Sequence, residues 1–200
     1  MRDETIQIQW YYQGKPDYNF GPGATLAERG LVWLAMAVGI GLYAYFYFQA
    51  AYPWQHWQYA LGAFFGLDVV GGVVAFSLNS NKRFYHGPAM KDDSVVTRCL
   101  KQHPLFAAIH IHPMLVGFLY PGGQSIAGVG WYLALLASTV LVSATPLYLR
   151  RPLAMLLVLL SLLANYGISP VPGFEWLMPG LFLKIVYGHT VREEPYRPLA

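Results

Sequence analysis

Two hundred residues that are 56% hydrophobic and only 12% charged are too apolar for an ordinary soluble domain, in which about 25% of residues carry charge. The net charge of +3 and the single cysteine, Cys99, leave no basic stripe for nucleic acid and no disulfide framework or thiolate metal cluster. The length allows one helical bundle and no second domain of any size.

Residues 1–29 read as an amphiphilic lead-in with no short apolar stretch of the signal-peptide kind. Thr5 to Trp10 alternates polar and apolar, the pattern of a short strand or an interfacial segment, and Trp10, Tyr11 and Tyr12 suit a headgroup layer. Gly21-Pro22-Gly23 breaks this segment, and Thr25 with Glu28 forms a capping-box signature for a helix start.

A bundle over 30–190 follows. Helix 1 is expected from Gly30 to Ala51, about 22 residues, enough to cross a hydrocarbon core of about 30 Å. Pro53 turns the chain, and Trp54, Trp57 and Tyr59 supply an aromatic belt. Helix 2 is expected over 56–78, followed by a loop over 79–103. Helix 3 covers 104–120, helix 4 127–149, helix 5 152–168, and helix 6, short and containing Pro179, Gly180 and Lys184, 174–188. In that reading Lys184 lies near a helix end and snorkels to the interface. A tail over 191–200 completes the chain.

The gaps at 52–54, 121–124 and 169–172 hold no Lys or Arg, and all thirteen cationic residues fall in the alternate segments. Cationic segments resist translocation. The expected fold class is therefore an all-α integral membrane protein of about six transmembrane helices, both termini cytoplasmic, in the cytoplasmic (inner) membrane and bacterial in style.

Chemistry is sought among polar groups at membrane depth. Asp68 stands near the middle of helix 2, where a carboxylate costs several kcal/mol unless it is paired, protonated or coordinated. Gly71 and Gly72 follow it and permit close helix approach. Helix 3 carries His103, His110 and His112. Pro113 removes the donor for the carbonyl of Ile109 and biases His112 away from helical angles, so a kinked turn over 109–113 can direct both deep imidazoles to one centre. His86, His103, His189, Glu193 and Glu194 are expected nearer the cytoplasmic surface, and His56 is expected in the outer belt.

Imidazole and carboxylate are ligands for zinc and for non-haem iron. Asp68, His110, His112 and His189 are accordingly the expected ligands of a divalent metal ion, with His86, His103 and Glu193 as catalytic or supporting groups. The expected function is a metal-dependent hydrolase or oxidoreductase acting on a lipid-soluble substrate from the cytoplasmic leaflet, its partners being membrane lipids. Two alternatives remain: a non-catalytic subunit beside partner membrane subunits, or a small ion or proton transporter in which Asp68 and a row of histidines relay protons. Asn79 and Asn81 read as caps for helix 2, and with Lys82, Arg83, Tyr85 and His86 they offer a place for an anionic headgroup. There is no HExxH, no multi-histidine box, no Gly-x-Ser-x-Gly elbow and no phosphate-binding glycine loop. A b-type haem would need a second deep imidazole on another spanning helix, and with none read there haem is an open but disfavoured alternative.

Overall fold

The computed structural model of the protein describes residues 6–90, 93–168 and 171–198. Arg2, Thr5, Lys91, Ser169 and Pro170, used above to read topology or pattern, lie outside the described residues. The short strand expected at the start is present as β1, Ile6–Ile8, and it pairs antiparallel with β2, Tyr196–Pro198, placing Ile8 opposite Tyr196. The two ends of the chain therefore meet at one end of the bundle.

Four helices are long and apolar enough to cross a membrane: α1 (Leu26–Ala50), α2 (His56–Ala75), α7 (Ser125–Ala144) and α8 (Leu147–Gly167). The expected capping box opens α1. Thr25 Oγ1 accepts the Glu28 amide at 3.2 Å, and the Glu28 carboxylate accepts the Thr25 amide at 2.8 Å. The start of α8 departs from expectation. Thr145 precedes Pro146 and is pushed to extended backbone, so α7 stops at Ala144 and Arg150 falls inside α8. From there Arg150 donates to the carbonyls of Thr145 (2.8 Å) and Ser143 (2.7 Å), groups that a helix C-terminus leaves open.

The other two expected spans are divided. The third is α5 (His103–Ala108) and α6 (His112–Leu119), broken at 109–111 where Pro113 was expected to disturb it. The sixth is α9 (Leu177–Leu181) running into a π-helix, Phe182–His189. The Thr190 amide bonds the Ile185 carbonyl at 3.0 Å, the wider spacing of that helix type. The expected loop over 79–103 is also structured, with α3 at Asn79–His86 and α4 at Val95–Leu100.

The segment of α9 and the π-helix is the centre of the molecule. Leu177, Leu181, Ile185 and Val186 are fully buried against Phe65 and Val69 of α2, Leu135 and Val142 of α7, and Ala154 and Val158 of α8. By contrast α1 turns most of its apolar surface outward, as a lipid-facing helix does. Helices α6 and α7 meet at Gly117 and Gly128, where a Cβ on Gly117 would stand 3.1 Å from the Cα of Gly128. At the end away from the β-sheet, Tyr47, Tyr52, Trp54, Tyr120 and Phe174 stack on one another. Trp54 is buried in that stack rather than lying in a belt, whereas Trp57 and His56 are exposed.

The lead-in packs on the α3–α4 region through Asp93. Its carboxylate accepts the Lys101 ammonium at 2.8 Å, the Met90 amide at 3.0 Å and the Tyr12 hydroxyl at 3.1 Å. Burial opposes ionisation of Asp93, but these three donors outweigh it and hold its pKa below the usual aspartate value. A depressed folded-state pKa stabilises the fold above the unfolded value of about 3.9. That contribution, about 2 kcal/mol for hydrogen bonds to a charged group, is lost as pH falls through the folded value. Thermal unfolding in detergent should show a steep acid limb in the wild type that is flattened in Asp93→Asn; equal acid limbs would refute the assignment.

Candidate functional site

Asp68 sits seven residues from the end of α2, about 10 Å inside the helix. It is paired, as its depth requires, but by a residue that sequence reasoning assigned elsewhere. Lys184 of the π-helix places its ammonium 2.6 Å from Asp68 Oδ2, and His112 Nε2 stands 3.2 Å from the same oxygen. Lys184 does not snorkel. Its side chain is 3% exposed, because the π-helix runs through the middle of the bundle and offers no route to the surface. Gly72 makes room for its stem, since a Cβ there would lie 2.5 Å from Lys184 Cε. The glycine after Asp68 was legible as a packing signal, but its partner was not.

The broken helix positions the imidazoles. With 109–111 out of helix, His110 and His112 lie with ring centroids 5.5 Å apart and planes at 23°. His110 Nδ1 lies 2.7 Å from the carbonyl of Phe106, so this nitrogen carries the proton and Nε2 is the acceptor. His112 donates through Nε2 to Asp68, leaving Nδ1 buried without a protein partner. The kink thus brings both rings to Asp68's neighbourhood, though it directs them to different partners.

A cavity of about 470 Å³ opens beside them, with Asp68, His110 and Lys184 at its polar end. Asp68 leaves a third (33%) of its side-chain surface open. Phe20, Trp33, Phe76 and Phe106 are among the walls. Trp33, Phe64 and Ile109 line it and are also 58%, 61% and 59% exposed on the outside of the helices. Tyr18 and Asn19 of the lead-in and Tyr85 of α3 line it as well.

The remaining expected residues are placed elsewhere. His86, His103 and His189 form a second cluster, with centroids 5.0 Å apart for His86–His103 and for His103–His189, and with Nδ1 atoms of the latter pair 3.1 Å apart. His189 is therefore not grouped with Asp68, His110 and His112 as one ligand set. Among the described residues no three His, Cys, Asp or Glu side chains are arranged to hold a metal ion. At Asp68 the nearest cationic group is the Lys184 ammonium, 2.6 Å from Oδ2.

Glu193 also stands apart from the cavity. It pairs with Lys82 at 3.1 Å, with Arg151 at 3.5 Å, and accepts from the Tyr187 hydroxyl at 2.9 Å. Burial works against its charge, yet Lys82 and Tyr187 outweigh that and lower its pKa. Lys82 is buried too, donating to the carbonyls of Gly188 (2.7 Å) and Val191 (2.8 Å). It ties down the end of the π-helix instead of the end of α2. Asn81 does cap α2, donating to the Ala75 carbonyl at 2.7 Å, while Asn79 accepts the Tyr196 amide of β2 at 3.0 Å. With Lys82, Arg83 and Tyr85 buried, the expected headgroup site on this stretch is not an open surface.

Chemically, the cavity presents a salt bridge with spare capacity. Lys184 has two further N–H donors, Asp68 an open carboxylate surface, and His110 an acceptor nitrogen. Such a set can orient a polar group and can give or take a proton. No family model, curated protein or solved structure matches this chain.

Proposed function

We propose that this chain is a membrane enzyme that acts by proton transfer on a lipid-soluble substrate, with Asp68, Lys184 and His110 at the reacting end and His112 holding Asp68 in place. The observation that carries this reading is the position of the Asp68–Lys184 pair on a cavity of about 470 Å³ that Trp33, Phe64 and Ile109, exposed on the outer faces of the helices, also line, the side from which a lipid-soluble substrate would enter. A buried ion pair serving stability alone would gain nothing from a cavity at its side, and replacing such pairs by apolar residues is often neutral or stabilising. The lysine is supplied by a π-helix, a form that often marks functional sites. Zinc or iron would first have to displace Lys184 from the carboxylate, so the geometry favours acid–base chemistry over a metal-bound water. We place the protein in the cytoplasmic membrane, with its β-sheet and basic segments inside.

The test is direct. Vesicles of total membrane lipid extract containing the wild-type protein, or Asp68→Asn, are incubated and analysed by mass spectrometry. A lipid species altered by the wild type should persist at least about a hundredfold longer with Asp68→Asn, the contribution usual for a general acid or base. Lipids left unchanged by the wild type, or changed equally by both proteins, would end the enzymatic reading.

A further inference from the structure

Five of the six histidines stand in one row that runs from the β-sheet end of the molecule to Asp68. His86 closes α3, His103 opens α5, His189 ends the π-helix, His110 lies in the break between α5 and α6, and His112 opens α6. Four separate stretches of chain contribute, so helical periodicity does not explain the alignment. Centroids are 5.0 Å apart from His86 to His103 and again from His103 to His189. Phe106 then intervenes, stacked on His189 at 3.9 Å with planes at 5°, and 4.7 Å from His110. His112 follows at 5.5 Å and bonds Asp68 at 3.2 Å.

Along this row three buried ring nitrogens have no protein partner: His86 Nε2, His189 Nε2 and His112 Nδ1. Each would cost about 1–3 kcal/mol if left unpaired, and buried water is the ordinary remedy. We propose that the five imidazoles, bridged by water at these nitrogens, form a proton path from the aqueous face at His86 to the Asp68–Lys184 site.

Each step is conserved and needs no redox partner. At His86, His103, His189 and His112 a ring nitrogen bearing a lone pair takes a proton, and the N–H on the opposite side of the same ring passes its own to the next acceptor; at His110, whose Nδ1–H stays on the Phe106 carbonyl, Nε2 takes a proton from water and returns it to water on the way to His112 Nδ1. Ring turnover or water-assisted tautomer exchange then restores the starting tautomer. Water at His189 Nε2 carries the proton past Phe106. The groups facing the outer cluster are Lys82, Arg150 and Arg192, all cationic; those at the inner end are Asp68 and Lys184. Burial, then His103 and Lys82, keep His86 neutral well below its usual pKa. A neutral imidazole both donates and accepts, which a relay requires.

This path rests on the acid–base reading for its purpose, since a site that moves protons must exchange them with water. The experiment reads exchange itself and needs no substrate, so the two ideas fail separately. Protein carrying ¹⁵N-labelled histidine in lipid nanodiscs is used to measure water exchange of the His112 Nε2–H. His103→Phe should slow that exchange at least about tenfold, a rise in barrier of about 1.4 kcal/mol. His86→Phe, at the partly exposed entrance, should do the same and carries the test if His103→Phe does not fold. Unchanged exchange in a folded variant of either kind overturns the proposal, as does a wild-type His112 that does not exchange.

Discussion

Lys184→Met should destabilise the protein by about 3–5 kcal/mol, the cost of removing one partner from a buried ion pair. The carboxylate of Asp68 stays at membrane depth and loses its 2.6 Å partner, while His112, at 3.2 Å, is left as its remaining donor. The second change Asp68→Leu should recover most of the loss, because the double variant buries no unpaired charge and fills the site with apolar volume. A double-mutant cycle from unfolding in detergent measures this coupling. Asp68→Leu alone should be nearly as damaging, since it strands the ammonium among Gly72, Val69 and the π-helix. Independent, additive losses for the two single changes would mean that the pair is not the unit we describe.

Lys82→Met should have the next largest effect, about 3 kcal/mol, and its signature is local. Lys82 donates to two carbonyls, those of Gly188 and Val191, and pairs with Glu193. A methionine of similar length keeps the packing but leaves two buried acceptors and a carboxylate without their donor. The end of the π-helix and the strand β2 beyond it should loosen. Limited proteolysis should therefore cut within 190–198 at lower protease concentration than in the wild type, while the long helices stay protected. Because His189 lies in the same turn, the outer histidine cluster should be disturbed as well. If Lys82→Met loses stability without added cleavage in the tail, the ammonium acts elsewhere than as the clasp of that segment.

Much of the framework was legible from local signals. The long apolar runs at α1, α2, α7 and α8 announced themselves by length, and Thr25 with Glu28 announced where α1 begins. Pro113 marked the break between α5 and α6, because its missing donor acts within one turn whatever the surroundings. Asp68 stood out on energetic grounds alone. What failed to show was pairing over long separations. Lys184 was assigned to the interface on the assumption that a lysine near a short helix's end can reach water. That assumption depends on which helix is central, and the last apolar segment proved to be the core of the bundle. Glu193 looked available for chemistry until Lys82, more than a hundred residues earlier, was found beside it. The sequence set His103, His110 and His112 on one helix, but the break and the intervening Phe106 stand between His103 and the other two.

Hydropathy was sufficient to indicate a helical protein with helices long and apolar enough to cross a membrane, because the cost of burying backbone and charge in hydrocarbon applies to each segment by itself. Which polar groups neutralise one another, and which face a common space, is a property of several helices at once. Only their packing decided that Asp68 meets the Lys184 ammonium, because a side chain's partner is set by the segment that folds against it and not by its neighbours in the chain.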